Sequence, residues 1–405
     1  MSARRKVLFV AEAVTLAHVV RLVSLAGSLD AAQNEVALAT DPRFNATVGR
    51  LPFRVHAIES MPAATFYRAI SRGTPIFSTG TLARYVADDL RLIEAVAPDM
   101  VVGDFRISLA TSARLVRVPY INLTNAYWSP YSRIRYVVPE LDHVRITGVR
   151  LGQWLFDATR RLGYAVHAIP PNRIRREHGQ GPLPLDFRYA LVDGDLTCYA
   201  DIPEIISAGP LPPTHRFIGP VPWSPRVALP AWWEGVAGRA HETPVVYVTL
   251  GNSGPPDVLQ RVLDALEALP VAVVAATAER ASTLGPTRNS HVAEYLPGDE
   301  VARVARVVVC NGGSPACYQA LAEGRPVVGL ATNMDQFLNM AAVEDAGCGT
   351  LLRSSSATAD EIRVAVRQAL EDIGMVRRAE EIQRRIRVLP ASTAFASALA
   401  EVART

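Results

Sequence analysis

The chain of 405 residues carries 42 Lys+Arg against 39 Asp+Glu, a net charge of +3. A balance so near neutral excludes the basic footprint of a nucleic-acid-binding protein. With 49% apolar and 20% charged residues the composition is globular, and no stretch reaches the ~18 apolar residues of a membrane span.

The length suggests two domains. The N-terminal MSARRKVLFVAEA has a basic start, but its apolar run is broken at Glu12, too early for a signal peptide. Residues 6–11 read as a first strand, 18–29 as a helix and 35–39 as a second strand. This βαβ opening lacks GxGxxG, which argues against a nicotinamide site. Apolar spacing at Leu82, Tyr85, Val86, Leu90, Ile93 and Val96 predicts a helix over 81–97, stopped by Pro98. Residues 100–103 form the next strand, opening onto Asp104; 107–116 is helical and 120–123 a strand. The stretch 127–149 reads as irregular and aromatic, and 150–168 as a helix.

The segment 217–230, FIGPVPWSPRVALP, holds four prolines and a glycine and reads as a linker. Beyond it the βα rhythm restarts. Residues 245–250 form a strand, Gly251-Asn252-Ser253-Gly254 a loop, 257–269 a helix and 271–276 a strand. The short β-branched run 307–310 predicts a buried parallel strand. Asn311, Gly312, Gly313 and Ser314 then make a tight loop, with Ser314 as N-cap, Pro315 at the first helical position and Gly324 as the stop. A Gly-Gly turn opening a helix exposes backbone N–H groups to a phosphate or diphosphate. The strand 326–330 leads to the loop Thr332-Asn333-Met334-Asp335-Gln336, whose carboxylate and amide suit sugar hydroxyls. The Arg377, Arg378, Arg384, Arg385 and Arg387 run reads as a solvated helix face. Cys198, Cys310, Cys317 and Cys348 show no CxxC spacing and read as reduced thiols of a cytoplasmic protein.

The run GGS, the helix and strand YQALAEGRPVVG and the Asp335-Gln336 pair resemble the donor motif of family 1 glycosyltransferases, in the bacterial natural-product branch typified by macrolide glycosyltransferases. The resemblance spans nearly the whole chain, with its specific motifs after Gly251. It implies the GT-B architecture, two facing Rossmann-like doubly wound α/β domains with a cleft between them. The corresponding division is 1–216 for the acceptor, 217–230 as linker, 231–388 for the nucleotide sugar, and 389–405 returning to the first domain.

The resemblance further implies a UDP- or TDP-sugar as co-substrate, with no separate cofactor. Its diphosphate would lie at Ser314, its hexose on Asp335 and Gln336, its β-phosphate on Gly251, Asn252 and Ser253, and its base against Leu296. The family usually has His before the two glycines; here Asn311 can donate a hydrogen bond but carries no charge. His18 resembles the catalytic histidine, with Ala17 in place of the usual glycine, and Asp104 the aspartate that orients it. Read alone, His18 also fits a helix-start histidine bonded to backbone, and Asp104 an N-cap for the following helix. Phe66, Tyr67, Phe105, Tyr127 and Trp128 are candidates for an aromatic acceptor pocket. Asp193-Gly194-Asp195 has the DxD form of a metal site but no neighbouring His or Glu, and is read as a turn; no metal is expected. The function implied is an inverting, metal-independent transfer of a sugar to a hydroxyl of a small, partly apolar acceptor. A nucleotide-sugar epimerase and a non-catalytic partner protein share the architecture and remain alternatives at this point.

Overall fold

The computed structural model describes residues 4–251, 257–277, 284–285 and 287–403. Two compact units emerge: Met1–Arg133 with Leu141–Trp223 and Leu389–Thr405, and Ile134–Glu140 with Ser224–Val388.

The first unit is a seven-stranded parallel sheet. Its strands are β1 (Arg5–Ala11), β2 (Asn34–Thr40), β3 (Arg54–Ala57), β4 (Met100–Asp104), β5 (Tyr120–Thr124), β6 (Leu196–Tyr199) and β7 (His215–Phe217), in the order β3-β2-β1-β4-β5-β6-β7. The middle strands are apolar runs, as burial on both faces of a parallel sheet demands. The last helix, Ala391–Val402, closes this unit's core, with Phe395 against Phe9 at a centroid distance of 6.0 Å. The second unit has six parallel strands: β8 (Val245–Thr249), β9 (Ala272–Ala276), β10 (Ser290–Ala293), β11 (Val307–Cys310), β12 (Val327–Ala331) and β13 (Gly349–Arg353), in the order β10-β9-β8-β11-β12-β13. In each sheet the winding reverses once, between β1 and β4 and between β8 and β11. Strand C-termini at such a reversal diverge and leave a crevice for ligands.

Several elements differ from the sequence expectation. The helix expected over 150–168 runs over Val149–Glu177, straight through Pro170 and Pro171. Both prolines lack an N–H and should break it. Packing outweighs that loss. Ala168, Pro170, Pro171, Asn172 and Ile174 are buried, and the Asn172 amide bonds both backbone groups of Leu183, at 2.7 and 3.1 Å. The stretch 127–149 is not wholly irregular, since Asp142–Thr147 is a helix. Its residues Ile134–Glu140 belong to the second unit, where Glu140 N–H bonds Thr332 O at 3.0 Å and the Glu140 carboxylate accepts from Ser355 N–H and Oγ. The five arginines of the last arginine-rich helix are exposed.

One polar cluster lies inside the first unit. Arg106 is wholly buried and bridges two buried carboxylates, Asp89 and Glu12, each at 3.0 Å. Ser108 and Ser112 also donate to Asp89, Tyr85 and the Met61 N–H donate to Glu12, and the guanidinium lies 3.5 Å from the centroid of the Tyr85 ring. Burial pushes both carboxyls up, and Arg106 offsets part of that; burial opposes the Arg106 charge, and the two carboxylates more than restore it. Beside this anchor Phe105 holds φ = 60°, a left-handed conformation that non-glycine residues rarely adopt. Replacing Arg106 with Ala should cost about 3–5 kcal/mol, because it leaves two buried carboxylates unpaired. Urea unfolding followed by circular dichroism measures this; a loss below about 1 kcal/mol would show that the cluster is not a keystone.

Candidate functional site

The first crevice is built where β1 and β4 end. The helix Leu16–Ser28 starts two residues earlier than expected, placing His18 in its first turn, while Asp104 is the last residue of β4. His18 Nδ1 lies 2.7 Å from Asp104 Oδ1. Asp104 caps no helix; it is 1% exposed, and its carboxylate faces the imidazole. An acceptor at Nδ1 fixes the tautomer, so Nδ1 carries the proton and Nε2, on the far side of the ring, is left basic. Phe105 stacks on the His18 ring with centroids 4.9 Å apart and planes 8° from parallel.

Arg21 was not singled out from sequence, although it follows His18 by three residues and so shares its helix face. Its Nε donates to Asp104 Oδ2 and its Nη2 to Oδ1, both at 2.9 Å, and its Nη1 reaches Asn125 Oδ1. Asn125 in turn donates to Asp201. Burial opposes the Arg21 charge, but Asp104 more than offsets this and raises the guanidinium above its ordinary value. The Asp104 carboxylate is therefore clamped in position. The 3.3 Å approach of Arg21 Nη2 to His18 Nδ1 brings together two donors that share one oxygen.

Of the aromatic candidates, Phe66, Phe105 and Trp128 gather in one cluster, with Phe66 6.0 Å from Phe105 and Phe77 5.7 Å from it. Tyr67 is partly exposed beside Phe66. Tyr127 is 1% exposed, a core residue rather than a surface for a ligand.

The second crevice lies where β8 and β11 end. Gly251 has φ = 59°, and a Cβ built there would sit 3.4 Å from Asn311 Nδ2, so the two loops are neighbours. Asn252 and Ser253 lie outside the described residues. Asn311 Oδ1 accepts from the Gly313 N–H at 3.0 Å, which closes the turn and leaves the amide nitrogen on the Gly251 side. Gly312 has φ = 79°, and a Cβ there would meet Met340 Cγ at 2.6 Å, so only glycine fits. The following helix is Ser314–Ala322, and its N-cap is Gly313. Ser314 was expected at that cap, but it occupies the first helical position and is buried, with Pro315 second. First-turn N–H groups point out of a helix start; Pro315 has none, so the outward donors come from Ser314 and Ala316.

Asp335 and Gln336 are not in an open loop. They form the first turn of the helix Met334–Asp345, capped by Asn333. Gln336 Oε1 accepts from Thr332 and Asn333 N–H at 2.9 and 3.3 Å, completing a capping box. Glu140, also missed from sequence, holds Thr332 from the other side through its backbone. Leu296 is 2% exposed, so its side chain is buried and not available to a ligand. The Asp193-Gly194-Asp195 carboxylates are engaged structurally. Asp193 pairs with Arg114 and Arg175, and Asp195 accepts from Tyr120 N–H.

Two parallel α/β Rossmann-like units, each with a polar loop set at its winding reversal, define the GT-B fold. Residues 260–402 match the family described as erythromycin biosynthesis protein CIII-like, C-terminal domain. The chain is 48% identical over 367 residues to a PGL/p-HBAD biosynthesis rhamnosyltransferase of Mycobacterium bovis, covering 91% of this chain and 81% of that protein. It is 47% identical to a PGL/p-HBAD biosynthesis glycosyltransferase of Mycobacterium tuberculosis, covering 91% and 85%. In fold it is similar to the spinosyn rhamnosyltransferase SpnG complexed with thymidine diphosphate, with TM-score 0.70, 20% identity, and 98% and 99% of the two chains covered. The chain belongs to the family 1 glycosyltransferases, in the natural-product branch that includes the macrolide enzymes, and is a glycosyltransferase. The epimerase reading falls away with that membership.

Arg21→Gln should lower kcat/KM about tenfold to a hundredfold while leaving donor affinity unchanged, since Asp104 and Asn125 lose their Arg21 contacts while the β8 and β11 loops keep theirs. Steady-state kinetics with donor titration tests this, and wild-type turnover would remove Arg21 from the machinery.

Proposed function

We propose that the protein is an inverting, metal-independent glycosyltransferase that moves a sugar from a TDP- or UDP-sugar to a hydroxyl of a small, partly apolar acceptor. The observation that carries the proposal is the His18–Asp104 pair at 2.7 Å at the end of β1 and β4, under the Phe105 ring. In this reading His18 Nε2 takes the proton of the acceptor hydroxyl as its oxygen attacks the anomeric carbon. The bond from that carbon to the diphosphate oxygen breaks on the opposite face, which inverts the centre. Asp104 stabilises the imidazolium that forms, and Arg21 keeps Asp104 in place. Phe66, Tyr67, Phe105 and Trp128 offer the acceptor an apolar wall.

On the donor side, the Ser314 helix terminus and the Asn311 amide meet the charge of the leaving diphosphate. Gly251, Gly312 and Gly313 let backbone approach it, Asp335 and Gln336 face the sugar, and Leu296 lends backbone to the base. Asn252 and Ser253 belong to the same proposed β-phosphate loop. Metal independence is supported by the DxD carboxylates, which are tied to Arg114, Arg175 and the Tyr120 backbone. The rhamnosyl relative and the TDP-bound structural neighbour favour a TDP-sugar, with rhamnose the first sugar to try. Four buried free thiols, two of them with sulfurs 3.7 Å apart and unjoined, support a reducing, cytoplasmic setting.

His18→Ala should reduce transfer about 10²–10⁴-fold with donor binding intact. Product formation from TDP-rhamnose and an acceptor panel measures it, and unchanged turnover would sink the mechanism. Titrating TDP against UDP should raise the melting temperature more for TDP, with stabilisation near 2.7 kcal/mol at about one hundred times Kd. A larger rise with UDP would reverse the choice of base.

A further inference from the structure

The helix Val149–Glu177 presents an apolar stripe to solvent. Leu151, Trp154, Ala158, Leu162, Ala165 and Ile169 follow one another at steps of three or four, which places them on one face over roughly 27 Å. Leu151 is 49% exposed, Trp154 66%, Leu162 66% and Ile169 55%. These are large side chains, contiguous along five turns, and nothing in the described chain covers them. Ile146, in the short helix just before, is 88% exposed.

The opposite side of the helix is fixed by ordinary packing. Gly152 faces Val144, where an added Cβ would lie 3.0 Å from Cγ2, and Ala168, Pro170, Pro171 and Ile174 are buried. The stripe is therefore not a misplaced core face, because the helix already has one. The charge beside it is predominantly basic. Arg150 and Arg161 lie along one edge with Asp157 beside them, and Arg173, paired with Glu177 at 3.1 Å, lies along the other; Asp157 and Glu177 are the helix's two acidic residues against six arginines.

We infer that this helix docks the protein on a lipid surface with anionic headgroups. A stripe of Leu, Ile and Trp bordered by arginines fits the acyl–headgroup boundary, where apolar side chains sink and guanidiniums meet phosphates. A second copy of this chain would bring the same arginines against one another, so charge favours the lipid. No described helix is long and apolar enough to cross a membrane, so the contact lies along the surface. The inference is independent of which acceptor or donor the enzyme uses.

The test is flotation of the purified full chain with vesicles of phosphatidylcholine alone or of phosphatidylcholine mixed with phosphatidylglycerol. Binding is expected to the mixed vesicles, weakening as salt rises. Trp154→Glu with Leu162→Glu should cut the bound fraction about tenfold. Both positions are exposed, so the circular dichroism and melting temperature should not change. Arg150→Gln with Arg161→Gln keeps the apolar stripe and should weaken binding to the anionic vesicles alone. Absence of flotation with either vesicle, or equal flotation with both, would overturn the proposal. So would a concentration-dependent dimer in sedimentation velocity that the Trp154/Leu162 variant abolishes, since the stripe would then belong to a second copy.

Discussion

The crevice at the end of β1 and β4 depends on a buried arginine. Arg106 lies between Asp89 and Glu12, and all three side chains are wholly buried. A buried ion pair of this kind adds little net stability over an apolar equivalent, yet removing one member is severe. Its value is positional. Glu12 follows β1, Asp89 lies on the helix Thr79–Val96, and Arg106 stands two residues past the end of β4. Joining the three fixes how the β4 loop leaves the sheet, and with it the left-handed turn at Phe105. That turn lays the Phe105 ring on His18 while the preceding residue, Asp104, faces the same imidazole from the strand end. Strain at one residue is sustained because its neighbour is over-determined.

Asp104 is then shared. One carboxylate oxygen serves both His18 and Arg21, and the other serves Arg21 alone. A carboxylate facing only an imidazole could take up the proton itself. One held by a buried guanidinium through two hydrogen bonds is fixed in place beside the ring. Under the proposed function, Arg21 shares the carboxylate that would stabilise an imidazolium at His18, and so limits that stabilisation. The Asn125–Asp201 contact returns some of it by giving Arg21 a second neighbour that is itself anchored.

Much of this was legible in the residues, because the parallel strands are apolar runs and the loops after β1, β4, β8 and β11 carry their polar residues where strands end. His18, Asp104 and the Asn311–Ser314 turn are visible that way. What escaped is non-local. Nothing in the sequence says that Arg106 will find Asp89 and Glu12, since the three approach only once the sheet is ordered. The short strands β3, β6 and β7 have too little pattern to stand out, and Pro170-Pro171 argues locally against a helix that packing sustains. Ser314 reads as a cap by residue type, yet the backbone gives that place to Gly313. Gln336 reads as a sugar ligand, and nothing local shows that its side-chain oxygen also closes its own helix start.

Asn311 shows how a local departure can reorganise a site without emptying it. Its oxygen is bound to the Gly313 N–H, so the loop is closed by the residue that would otherwise only face a ligand. The amide nitrogen remains on the Gly251 side, where glycine leaves room. Under the proposed function, a diphosphate there meets a neutral amide and backbone dipoles rather than an imidazolium. An amide keeps its hydrogen bond throughout the range in which an imidazole titrates. The grip on the donor is then separated from the proton chemistry, which stays with His18 in the other unit. Protonation of the base should slow the reaction without loosening the nucleotide, a division that a histidine at position 311 would blur.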